Sequence, residues 1–174
     1  MTAEELLHLP SGEHRYELVK GELLTMPPSG ATHGAVTINI SAPLATYIKA
    51  QKLGVAFGAE TGFILERDPD TVLAPDCSFI RKDRIGTLST GYSEIVPDLV
   101  VEVISTTKTK SKVEKKTAQW LSFGVRSVWL VNCHSKTVEI VSASGSRKLF
   151  RETDELIDDD VVAGFRVPVS EIFN

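Results

Sequence analysis

The chain has two cysteines in 174 residues, and neither stands in a Cys-x-x-Cys pair. That supports neither a disulfide framework nor a structural zinc site, and Cys77 and Cys133, each beside an apolar strand-like run, read as buried free thiols of a reducing compartment. An excess of positive charge is missing too. Lys and Arg number 19 against 23 Asp and Glu, a net charge of −4, so a uniformly cationic nucleic-acid binder is excluded and any polyanion site must be a local patch. No apolar run approaches the roughly 18 residues of a membrane span, and the start Met-Thr-Ala-Glu-Glu lacks the basic and then apolar profile of a signal peptide. No membrane association is expected, and the location is expected to be cytoplasmic. No linker, repeat or low-complexity stretch interrupts residues 1–174, which are expected to form one domain.

What is present alternates between short β-type runs and two longer helical patterns. Thr2 and Glu5 have the spacing of a capping box, and the runs on either side of Lys20-Gly21 read as a hairpin with Gly21 at positive φ. Val36, Ile40, Leu44, Tyr47 and Ile48 form an amphipathic stripe from Thr32 to about Lys52, which Pro43 is expected to bend or break. Val55 to Phe57, Phe63 to Leu65 and Val72 to Ile80 read as meandering strands. The run Leu99 to Ile104 is the most β-prone in the chain and reads as a central strand covered on both faces. Ser111 to Phe123 is helical, and Ser127 to Asn132 is again a strand, giving a β-α-β crossover between parallel neighbours. A hairpin around Ser144-Gly145 follows, and a short strand and turn close the chain.

Glu102 is the most informative residue. It is a lone carboxylate in Val100-Val101-Glu102-Val103-Ile104, where desolvating a charge costs several kcal/mol unless something positive compensates it. It is either an edge-strand glutamate paired with an arginine or water, or a metal or proton-transfer carboxylate. Pro75-Asp76 sets an aspartate at the start of a strand. Pro97-Asp98 is a second such pair, but Asp98 and Glu102 lie roughly 13 Å apart along one strand, too far to share an ion. Asp76 on a neighbouring strand comes closer, and two convergent carboxylates supply the oxygen ligands that Mg²⁺ prefers. Lys116 lies four residues before Trp120 on the following helix, so both can face the sheet. It is either a snorkelling lysine or one that orients an attacking water and neutralises transition-state charge. Lys108, Lys110, Lys112, Lys115 and Lys116 put five lysines into nine residues beside this site, opposed only by Glu114. That segment is either a solvated loop or a phosphate-binding patch, with Lys108, Lys110 and Lys112 as the nucleic-acid contacts.

The ordered series Arg15-Tyr16-Glu17-Leu18, Gly21-Glu22, His33, Pro75-Asp76, Pro97-Asp98-Leu99-Val100-Val101-Glu102-Val103, Lys116, Gly124-Val125, Val128-Trp129 and Gly164-Phe165 closely resembles the Uma-two family, described as putative restriction endonucleases. The resemblance spans nearly the whole chain. It implies an α/β fold with a restriction-endonuclease-like PD-(D/E)XK core, a central mixed sheet flanked by helices. It also implies a Mg²⁺-dependent endonuclease acting on DNA, with Mn²⁺ as a substitute. Asp76 and Glu102 become the metal-holding acids, and Asp76, Glu102 and Lys116 the catalytic set. The superfamily lysine belongs two residues beyond the glutamate, where this chain has Ile104. The family resembles members in which that lysine has moved to the next helix, at the place of Lys116. Glu17, Glu22 and His33 become candidate neighbours of the site, although the two glutamates also fit exposed hairpin positions and His33 a helix cap. The resemblance leaves room for a homodimer. The rival expectation is a nuclease-fold nucleic-acid-binding module with weak or no cleavage, which the net charge and the displaced lysine favour. A third is a structural domain whose carboxylates form ordinary buried ion pairs.

Overall fold

The computed structural model describes residues 1–10, 14–105 and 109–174. The β-branched run Leu99–Ile104 forms β7 at the centre of a six-stranded sheet ordered β10-β9-β8-β7-β6-β3. Its companions are β3 (Gly54–Phe57), β6 (Cys77–Arg81), β8 (Ser127–Asn132), β9 (Thr137–Ser142) and β10 (Arg147–Phe150). β7 and β8 run parallel, joined by α3 (Lys110–Ser122), and the remaining neighbours are antiparallel. The sheet is therefore mixed, as the crossover reading requires.

Successive residues of a strand face opposite ways, and both faces of β7 are covered. Val101 and Val103 pack with Val36, Ile40, Leu44 and Ile48 of α2 (Ala31–Ala50). The pair β11 (Glu155–Ile157) and β12 (Arg166–Pro168) and the short α4 (Val169–Ile172) complete that layer. On the other face Val100, Val128 and Leu130 meet Trp120 of α3 together with Phe63 and Leu73. Phe63 and Leu73 belong to a second sheet, β2-β1-β5-β4, built from β1 (Arg15–Val19), β2 (Glu22–Met26), β4 (Phe63–Glu66) and β5 (Thr71–Leu73). α1 (Ala3–Leu7) begins with the capping box of Thr2 and Glu5, and Lys20-Gly21 turns β1 into β2 with both residues at positive φ. Both cysteines are free.

Two expectations are corrected. Pro43 does not break α2, which runs on as one 20-residue helix. Burial of the stripe on both sides of the proline outweighs the one backbone hydrogen bond it forgoes. The run Val72 to Ile80 is two strands in different sheets, because Pro75 lacks an amide donor and the chain changes partner at Ala74 to Asp76. That crossing between sheets delivers Asp76. Among the described residues no helix is long and apolar enough to cross a membrane.

Candidate active site

Asp76 immediately precedes β6, and the register pairs Cys77 with Val101, so Asp76 and Glu102 stand across from one another one step beyond that pair. The Asp76 amide donates to the Val101 carbonyl at 3.1 Å, and its Oδ2 accepts the Val103 amide at 2.7 Å. The Asp76 carboxylate is thus fixed one peptide away from Glu102, at the C-terminal end of β7. His33, in the first turn of α2, places Nε2 at 3.2 Å from the same Oδ2. Arg15 of β1 brings Nη1 to 3.8 Å from Oδ1, a charge contact longer than a hydrogen bond.

Glu102 shares the Val100 face of β7 and points toward α3. Trp120 Nε1 donates to its Oε1 at 2.9 Å, and Lys116 Nζ lies 2.9 Å from the same oxygen. One helical turn separates Lys116 from Trp120, which is why one α3 face delivers both. Lys116 Nζ also donates to Glu17 Oε1 at 2.8 Å. That oxygen accepts the Ala74 amide at 3.1 Å as well, so Glu17 ties α3 to the segment carrying Pro75-Asp76. Burial alone would pull the Lys116 ammonium down. The charges of Glu102 and Glu17, and their hydrogen bonds, outweigh that and hold its pKa above the usual lysine value. Glu17, Asp76 and Glu102 are 4%, 5% and 5% exposed, whereas the Lys116 side chain keeps 24% and remains within reach of a bound molecule.

The structure therefore brings Asp76, Glu102, Lys116, Glu17 and His33 into one connected cluster. Glu22 is not part of it. It is exposed at the start of β2, and among the described residues no hydrogen bond or ion pair joins it to the others. Lys110 and Lys112 are exposed in the first turn of α3, just after the strand that carries Glu102, and Lys108 lies outside the described residues. Asp98, the second Pro-Asp aspartate, is fully buried and accepts the Arg81 amide at 2.9 Å beside Arg84 at 2.8 Å, a structural role. Arg15 was legible only as part of a motif. Its approach to Asp76 depends on how the β1 sheet folds over the site, which no local pattern announces.

Glu17, Asp76 and Glu102 face the cations Arg15 and Lys116, and Arg15 also reaches Glu60 at 3.6 Å. Among those residues no group of three or more His, Cys, Asp or Glu side chains forms a self-sufficient metal cage. Mg²⁺ does not need one, since it retains several waters and takes one or two carboxylates. The adjoining acids Asp76 and Glu102 fit such an ion in donor type and in charge.

A mixed sheet flanked by helices thus carries an acid on each of two neighbouring chain segments, and a lysine reaches the second acid from the next helix. Uma2, a family described as "Putative restriction endonuclease", matches residues 3–170, and the chain belongs to that family. The crystal structure of "a putative nuclease belonging to DUF820" from Anabaena variabilis ATCC 29413 is similar with a TM-score of 0.83. Its sequence identity is 21%, and the match covers 99% of this chain and 97% of that one. Among curated proteins nothing matches.

Proposed function

We propose that the protein is a Mg²⁺-dependent endonuclease that hydrolyses phosphodiester bonds of DNA, with Mn²⁺ able to replace Mg²⁺. The observation that carries this reading is Lys116 Nζ at 2.9 Å from Glu102 Oε1, beside Asp76 locked on the Val103 amide. A lysine two residues beyond Glu102 would share its strand face. Here Ile104 stands at that place, and α3 supplies an ammonium to the same carboxylate.

Asp76 and Glu102 would hold the ion, which when bound supplies Lewis-acid polarisation of a phosphate oxygen and a more acidic bound water. Trp120 and Lys116 fix the rotamer of Glu102, and the Val103 amide and His33 fix that of Asp76. Such preorganisation removes reorganisation from the chemical step. Lys116 orients the attacking water and offsets the charge that develops on the phosphoryl group. Lys110 and Lys112, with Lys108, hold the flanking phosphates, supporting DNA as the partner.

The second reading, a binding module without efficient cleavage, is favoured by the enclosure of Lys116 between two carboxylates. Cleavage and salt-titrated binding of supercoiled and single-stranded DNA decide between them. Wild type should cut in Mg²⁺ or Mn²⁺ and not in chelator. Lys116→Ala should lower turnover by about a hundredfold or more while changing affinity only severalfold, because only stabilisation confined to the transition state accelerates the reaction. Lys110→Ala should instead weaken binding and flatten its salt dependence. Robust binding by wild type with no cleavage in either metal would establish the binding module.

A further inference from the structure

A cleft of about 670 Å³ opens at Asp76, between the start of β1, the first turns of α2 and the β3–β4 connection. Pro28, Ile38 and Ala59 make part of its wall apolar, while His14, Arg15 and His33 contribute nitrogen groups. Arg15 stands between Glu60 and Asp76 at 3.6 and 3.8 Å, and its buried Nε has no hydrogen-bond partner among the described residues. The His14 ring is exposed and packs edge to face on Tyr16 at a centroid distance of 6.4 Å. α2 carries a glycine at this wall: a Cβ added at Gly34 would meet nothing within 4 Å, and the same holds at Gly58 across the cleft. Glycine inside a helix costs about 1 kcal/mol relative to alanine, so the open space at Gly34 has no benefit to the helix itself.

We propose that this cleft takes an unpaired nucleotide segment of the strand being cut, next to the scissile phosphate, so that the substrate is single-stranded or locally unpaired DNA. The proposal rests on the nuclease reading above for the position of that phosphate at Asp76. The volume of the cleft falls within the roughly 300–1,000 Å³ of sites that enclose one compact organic ligand. The walls offer one strand an exposed imidazole face for stacking and apolar surface for a base, while Arg15 offsets the charges of Glu60 and Asp76 that line the same cleft.

The test titrates a short fluorescent DNA strand, alone and annealed as a blunt duplex, in chelator. The proteins are wild type, Gly34→Glu, Gly34→Lys and, at a second position, Gly58→Glu, each with its melting temperature measured. Wild type should bind the single strand about tenfold more tightly than the duplex, and each well-folded variant should lose about tenfold of that affinity through lost stacking and space. Loss with both Glu and Lys at position 34 identifies filling of the cleft and not charge alone. Unchanged single-strand affinity in the folded variants, a wild-type preference for the duplex, or no binding of either overturns the assignment. The nuclease reading fails separately: single-strand binding that these variants abolish, without cleavage by wild type in Mg²⁺ or Mn²⁺, removes the nuclease and leaves the cleft.

Discussion

Glu17 Oε1 receives both the Lys116 ammonium and the Ala74 amide, so one oxygen holds the lysine and the approach to Asp76. Removing Lys116 leaves Glu17 and Glu102 buried without that cation, and breaking a buried pair by deleting one partner costs about 3–5 kcal/mol. Lys116→Ala should therefore be destabilised by about that amount in urea denaturation without metal. Adding Glu17→Gln to it should restore part of the loss, since the neutral amide keeps a polar contact without a second charge. A Lys116→Ala protein as stable as wild type would show that the ammonium does not compensate the two acids. At this scale the need of Glu102 for a cation was legible in the sequence for a physical reason, since a carboxylate inside an apolar strand must be compensated, whereas Asp76 and Lys116 stood out only through the family resemblance. Glu17 and His33 stayed ambiguous because a hairpin position or a helix start does not disclose what will fold over it.

β3 pairs with β6 so closely at its start that a Cβ added at Gly54 would collide with the Ile80 carbonyl and the backbone of Arg81 and Lys82. Backbone cannot move aside as a flexible side chain does, so Gly54→Ala should destabilise by about 1–3 kcal/mol, read as a lower urea midpoint with unchanged slope. An unchanged midpoint would contradict this close approach. Elements with a strong period were legible: the α2 stripe, the covered β7 and the α3 crossover all follow from side-chain spacing. The split of Val72 to Ile80 was not, because both halves are apolar and the change of sheet occurs where Glu17, distant in sequence, accepts the Ala74 amide. β11 escaped for another reason. Its three residues Glu155–Ile157 are too few to show alternation, and their pairing with β12 is set by tertiary contact.

Across the whole molecule an acidic chain, net −4, gathers Glu17, Asp76 and Glu102 at one buried site. Asp76 and Glu102 stand across from one another, with Arg15 beside the first and Lys116 beside the second. A divalent ion that binds the folded chain alone should raise the melting temperature by mass action, adding about 2.7 kcal/mol at a hundred times its dissociation constant. Mg²⁺ or Mn²⁺ should thus stabilise wild type, and Asp76→Ala should show no rise. Identical melting curves in chelator, Mg²⁺ and Mn²⁺ would count against a shared site. The most direct measurement is anomalous diffraction from crystals of the protein soaked in Mn²⁺. A single anomalous peak in contact with carboxylate oxygens of both Asp76 and Glu102 is the predicted result. Mn²⁺ absent from that position at saturating concentration, with Lys116 still closed on Glu102, would contradict it.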